Sequence, residues 1–231
     1  GSGEVLWTQS FNNPNSVSAP SFANGLVYVH TGGHQDTALW AFDALTGDEV
    51  FRGTHSAQWP RYGQPTIDGP LAIMAGGYSY GVQATDSLTG SNLWSDNRGP
   101  SGNYWEPGVS NTHVFTVYGG DLIALDPLTG ADLFIVDLGL SSPVPVIGSI
   151  DNVLLSGDSL ICVDISTEQV LWEVSEAGQY SMPAVGTGRV FCLRNGDLQV
   201  LSELSGDTQW SWSTGAESLD SNIVVAVSHV F

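Results

Sequence analysis

The chain has 231 residues, 42% of them hydrophobic and 13% charged, and its 24 acidic against 5 basic side chains give a formal net charge of −19. Every basic residue is an arginine, so there is no basic face to neutralise phosphates, which excludes nucleic acid as a partner and argues against an anionic membrane surface. No apolar run approaches the ~18 residues that a spanning helix needs, which excludes insertion by that route, and the length suits one all-β domain.

Taken in chain order, Ser2 to Trp7 predicts an outermost strand ending on a tryptophan. Pro20 to Phe22 predicts a short strand, and Leu26–His30 and Thr37–Phe42 predict two longer ones joined by a glycine-rich turn. A fourth strand follows Asp43-Ala44-Leu45-Thr46-Gly47 and carries Phe51. β-Branched and aromatic residues favour extended backbone, and proline is tolerated at the first residue of a strand because no ladder donor is lost there. Glycine supplies positive φ in the tight turns, while Asp and Thr side chains bond nearby backbone groups.

The same succession then returns. Short strands are predicted at Pro65–Ile67, Pro107–Val109, Pro145–Ile147 and Pro183–Val185, and longer ones at His113–Tyr118, Asp121–Leu125, Arg189–Leu193 and Asp197–Leu201. The turn recurs as Asp86, Thr89, Gly90 before Trp94, as Asp126, Thr129, Gly130 before Phe134, as Asp164, Thr167, Glu168 before Trp172, and as Ser202, Ser205, Gly206 before Trp210. The aromatic residues at 7, 51, 94, 134, 172 and 210 are spaced by 44, 43, 40, 38 and 38 residues. Four strands in about 40–50 residues is the period of a propeller blade. The expected fold is therefore all-β, a β-propeller of four-stranded antiparallel blades. Five complete blades are expected, at about 18–53, 62–96, 105–136, 143–174 and 180–212. Ser221–Phe231 aligns without gaps on Ser181–Phe191, so 221–231 with 1–9 is expected to form parts of a sixth blade. Two readings stay open, a six-bladed ring closed by strands from both termini and a fragment of a larger ring. Trp7, Phe51, Trp94, Phe134, Trp172 and Trp210 are the expected docking residues between blades.

The pattern Ala-x-Asp-x-x-Thr-Gly-x-x-x-Trp, as in Ala84 to Trp94, resembles the tryptophan-docking repeat of the PQQ-repeat propellers. That family includes quinoprotein alcohol dehydrogenases and the periplasmic lipoprotein of outer-membrane protein assembly. For the enzymes, the resemblance implies a PQQ ring held near the propeller axis by a tryptophan and a vicinal disulfide, with Ca²⁺ and an Asp base. This sequence has no adjacent cysteines and no lysine, and no catalytic position carries over by motif. The expectation is no cofactor and no catalytic residue. PQQ and Ca²⁺ enter only under the alternative of a quinoprotein dehydrogenase fragment.

Cys162 and Cys192 read either as two buried small hydrophobes or as a disulfide between adjacent blades. The histidines at 30, 34, 55, 113 and 229 are spread along the chain, and no metal is expected. The clearer signal lies in the connections into each innermost strand, where binding residues gather on a rigid scaffold. These carry Gln58, Trp59, Arg61 and Tyr62, then Asn103, Tyr104, Trp105 and Glu106, then Gln179 and Tyr180. Trp59, Arg61, Tyr62, Tyr104, Trp105, Glu106 and Tyr180 are the candidate ligand-binding residues, since aromatic planes with polar neighbours suit a peptide, a protein or a glycan. The opposing reading is that these aromatics pack under the loops and hold the face together. The expected function is a non-enzymatic extracytoplasmic binding or scaffold propeller, extracellular or periplasmic. A purely structural repeat of a large surface protein is the remaining alternative.

Overall fold

The structure, a computed structural model, describes residues 3–33, 37–55, 63–76, 81–99, 105–140, 144–149, 151–175, 180–213, 223, 225–226 and 229–230. Every regular element among them is a strand. The first sheet holds β1 (Ser16–Val17), β2 (Ser21–Ala23), β3 (Leu26–Gly32), β4 (Ala38–Asp43) and β5 (Glu49–Thr54). Both β1 and β2 pair with β3, Ser16 opposite Gly32 and Ser21 opposite Tyr28. They are one innermost strand interrupted at Ala19-Pro20, where proline has no N–H to give the ladder.

The second sheet runs β6 (Thr66–Asp68), β7 (Leu71–Gly76), β8 (Gly81–Asp86), β9 (Asn92–Asp96), and the third β10 (Gly108–Val109), β11 (Val114–Tyr118), β12 (Asp121–Leu125), β13 (Asp132–Asp137). The fourth is β14 (Val144–Ile147), β15 (Asn152–Ser156), β16 (Leu160–Asp164), β17 (Gln169–Val174), and the fifth β18 (Ala184–Gly186), β19 (Arg189–Arg194), β20 (Asp197–Ser202), β21 (Thr208–Ser213). A last pair, β22 (Val225–Ala226) and β23 (His229–Val230), is also antiparallel. In each four-stranded sheet the strands pair in chain order, as successive hairpins dictate.

Residues 3–10 form no strand, contrary to the sequence expectation, because no strand lies beside them to complete a ladder among the described residues. The segment still brings Trp7 onto the first repeat: its Nε1 donates to the Ala44 carbonyl at 3.0 Å.

The chain divides into two compact units, Gly1–Val114 with Leu125–Asp132, and Phe115–Ala124 with Leu133–Phe231. In the first, the two sheets bury Tyr28, Leu39 and Ala41 against Ala72 and Met74, and Tyr28 Oη donates to the Ser87 carbonyl at 3.0 Å. In the second, Phe115, Val117, Leu122 and Ala124 pack on Val153, Leu155, Ile161 and Val163. A further cluster joins Leu154, Leu160, Cys162 and Trp172 to Tyr180, Val190, Cys192 and Leu201. Cys162 and Cys192 are free, buried thiols, and burial pushes each up to about 12. That is the first of the two sequence readings.

One turn recurs in detail. Asp43 Oδ1 accepts from the N–H groups of Leu45 and Thr46, and Asp86 and Asp126 do the same for Leu88, Thr89, Leu128 and Thr129. The Thr89 hydroxyl also donates to Asp86 and is the largest influence there, and these bonds together hold the three carboxyls below the usual carboxylate range. Just before the turn, the ladder between the third and fourth strands slips at Ala41/Phe42, Ala84/Thr85, Cys162/Val163 and Val200/Leu201. These bulges stand at one repeat position, and a bulge re-aims the backbone.

The turn glycines hold φ of 76° at Gly47, 73° at Gly90, 70° at Gly130 and 72° at Gly206. Each lies under an aromatic ring of the preceding repeat. A β-carbon would meet Trp7 at 2.6 Å from Gly47, Phe51 at 2.5 Å from Gly90, Trp94 at 2.7 Å from Gly130 and Trp172 at 2.8 Å from Gly206. Trp94 Nε1 donates to the Pro127 carbonyl and Trp172 Nε1 to the Glu203 carbonyl, both at 2.8 Å. Phe134 packs on the cluster containing Ile161 and Val163. Trp210 is exposed, 44% against 8% for Trp94 and Trp172, and no ring lock to a following turn glycine is present among the described residues.

In the fourth repeat Glu168 replaces the glycine and is held at φ 59°. A non-glycine residue in this region carries about 1 kcal/mol of strain. Glu168→Gly is expected to stabilise the protein by about 0.5–1 kcal/mol, read as a rise in the urea midpoint at unchanged slope.

Candidate functional site

The connection from β5 to β6 is anchored at both described ends. His55, the residue after β5, and His30 of β3 are both 2% exposed, and their rings meet edge to face with centroids 4.8 Å apart. His30 Nε2 donates to the Gly63 carbonyl at 2.6 Å. Gln83 of β8 hydrogen-bonds His55, and its Nε2 donates to the Thr54 carbonyl at 2.7 Å. Burial disfavours the imidazolium in both rings: His30 is brought down to about 4, against the slight opposing pull of Gly63, and His55 lies well below its usual value through burial and the neighbouring His30.

On the other side of this backbone, Glu106 Oε1 accepts from Gln64 N at 3.2 Å. A β-carbon on Gly63 would collide with the Glu106 side chain, so glycine is required for this close approach. Partial burial raises the Glu106 carboxyl, and the Gln64 N–H offsets part of that rise. Trp105 beside it is 1% exposed, and its Nε1 makes no hydrogen bond among the described residues.

In the second unit, Tyr180 precedes β18 and is 7% exposed. It forms a single antiparallel bridge with Arg194, whose guanidinium lies 5.7 Å from the Tyr180 ring centre. Its hydroxyl is buried and makes no hydrogen bond among the described residues, and burial raises the phenol.

Of the candidate residues, Trp59, Arg61, Tyr62 and Tyr104 lie outside the described residues, as does His34. Glu106 is joined to the β5–β6 connection through Gln64, whereas Trp105 and Tyr180 lie beneath the surface in separate units. His30, His55 and Gln83 are additions. They stand on β3, after β5 and on β8, and no spacing along the chain announces their meeting.

The vicinal disulfide that the enzymes' resemblance implies has no counterpart in this sequence, whose two cysteines are not adjacent. The two cysteines are far apart in sequence and buried as free thiols, so neither can belong to a vicinal disulfide. Among the described residues no group of three or more His, Cys, Asp or Glu could hold a metal ion, and no helix is long and apolar enough to cross a membrane.

Repeated four-stranded sheets and an aromatic ring locked onto each turn glycine define a β-propeller of the PQQ-repeat class. The chain belongs to the PQQ-repeat family described as outer membrane protein assembly factor BamB, whose sequence model matches residues 1–99 and 118–230. No curated protein matches the sequence. Among solved structures, BamB from Moraxella catarrhalis is similar at 16% identity and a TM-score of 0.64, covering 85% of this chain and 64% of that one. The computationally designed Ika8 protein matches at 17% identity and a TM-score of 0.68, over 90% of this chain and 66% of its own. A quinohemoprotein alcohol dehydrogenase from Pseudomonas putida HK5 matches at 13% identity and a TM-score of 0.63, over 85% of this chain and 42% of its own. The chain thus spans 42 to 66% of the length of these structures, and at such identities the likeness is one of fold.

Proposed function

We propose that the chain is a non-enzymatic, extracytoplasmic propeller that binds a protein or an extended peptide through the connections leading into its innermost strands. The observation that carries this reading is the state of the two described aromatics of those connections. Trp105 Nε1 and Tyr180 Oη are buried polar tips that make no hydrogen bond among the described residues. A buried donor left unsatisfied costs about 1–3 kcal/mol, and such groups are rare in native interiors. Backbone carbonyls of a partner supply the missing acceptors once the connections adjust to it. The family's description as an assembly factor for outer membrane proteins supports a protein partner and an extracytoplasmic setting. The low charged fraction is in keeping with that setting.

The test pairs an array of extended peptides with a glycan array. The probe is the chain carrying Trp59→Ala, Tyr62→Ala and Trp105→Phe, the last of which removes the indole N–H and keeps a ring. Peptide binding by the parent chain is expected to weaken by at least ~10-fold in this variant, about the cost of one lost buried anchor. Peptide binding unchanged in a variant with a native circular-dichroism spectrum, or binding to glycans alone, contradicts the reading.

A further inference from the structure

We propose that the His30–His55 pair is an acid-released latch, holding the Gly63–Gln64 backbone at the entrance to β6 only while both rings are uncharged. The inference is independent of what the propeller binds. It begins from geometry: two imidazoles, each 2% exposed, pack edge to face at 4.8 Å, and one of them donates to the Gly63 carbonyl. The anchored backbone leads into the seam between the first two sheets, where Ser21 Oγ donates to the Pro65 carbonyl. Glu106 holds the next residue from the other side. The latch therefore sits where one connection meets two sheets.

A second proton on either ring places a cation in a dry interior beside another imidazole. Burial lowers His30 and the Gly63 carbonyl opposes this; burial and the neighbouring His30 lower His55 and the neutral amide of Gln83 opposes this. The carboxyl of this network, Glu106, is bonded to Gln64 N. Burial costs the imidazolium its hydration, which exposure to water restores. Protonation is thus satisfied by opening, which exposes the rings and frees Gly63.

The sign follows from linkage. The closed His30 ring titrates below the open one, so the closed state is fully favoured above the open value near 6.5 and loses ground as pH falls from there towards about 4. Between these limits, at pH 5, His30 alone raises the opening constant by roughly 30-fold over its value at pH 7.5. His55 acts in the same direction. Glu106 acts in the opposite one, because its raised carboxyl favours the closed state as pH falls.

Hydrogen exchange on the full chain tests this. Protection of the Gly63, Gln64 and Thr66 amides, corrected for intrinsic exchange and divided by that of the β15–β16 amides, is expected to fall by about 30-fold or more from pH 7.5 to pH 5. Glu106→Gln is expected to keep this fall, and His55→Phe to reduce it. A ratio constant within about twofold in the parent chain overturns the latch, as does loss of the pH dependence in Glu106→Gln. An imidazole NMR titration placing His30 near 6.5 in the folded chain, the unperturbed value, overturns it even if His55→Phe fails to fold.

Discussion

Replacing Trp172 by alanine is expected to destabilise the protein by about 3–5 kcal/mol, the range for deleting a large buried aromatic. The ring is 8% exposed, belongs to the cluster with Leu154, Val190 and Leu201, and covers Gly206. Its Nε1 also supplies the Glu203 carbonyl with a donor. Trp172→Phe separates these contributions. Phenylalanine already occupies the equivalent position in two other repeats, at Phe51 and Phe134. The milder variant loses the indole hydrogen bond and part of the ring, so it is expected to cost about 1–2 kcal/mol. Urea unfolding followed by circular dichroism measures both. Equal losses for the two variants would show that the bond, not the packing, dominates the lock.

The opposite side of the lock gives the second large effect. Gly130→Val is expected to cost about 3 kcal/mol, from forcing a β-branched residue to φ 70° and from driving its β-carbon into the Trp94 ring. The two terms can be separated. In a Trp94→Ala background the ring is gone and only the backbone strain remains, so the glycine substitution is expected to cost at least ~1 kcal/mol less there. Strict additivity would mean that glycine is needed for its φ alone.

Arg98 reinforces the same junction, donating to Asp132 Oδ2 at 3.0 Å from Nη1 while its Nε donates to Asp96. These bonds, first with Asp132 and then with Asp96, strengthen the guanidinium's hold on its proton. The pair with Asp132 is surface-exposed, where ion pairs contribute little, so the lock is expected to rest on the Trp94 ring and its Nε1 bond.

The turns under these rings were legible in the sequence because they are local. An Asp followed by Thr-Gly writes its own turn through side-chain to backbone bonds, and an aromatic four residues on marks the strand that leaves it. Positions such as Gly47 and Gly130 therefore announced the turn, while the rings that cover them, Trp7 and Trp94, come from the preceding repeat and were legible only as expected docking residues. The strand reading failed at residues 3–10 because a strand is defined by its neighbour, and sequence period does not supply one. The candidate face was legible only as composition. Whether Trp105 and Tyr180 point outward or pack beneath the loops depends on the backbone around them, and both are buried, with polar tips that make no hydrogen bond among the described residues. The His30–His55 contact was illegible for a stronger reason. His30 stands on β3 and His55 follows β5, two strands of one sheet 25 residues apart in the chain, and no spacing announces that their rings meet.

The binding face is tested most directly by amide chemical-shift mapping of the folded chain, titrated with the tightest-binding peptide from the array. The account predicts that the largest shifts fall within residues 55–66, 98–108 and 175–184, the connections into β6, β10 and β18. Shifts confined to the outer strands β5, β9, β13, β17 and β21, or to the Asp-x-x-Thr-Gly turns, would contradict it.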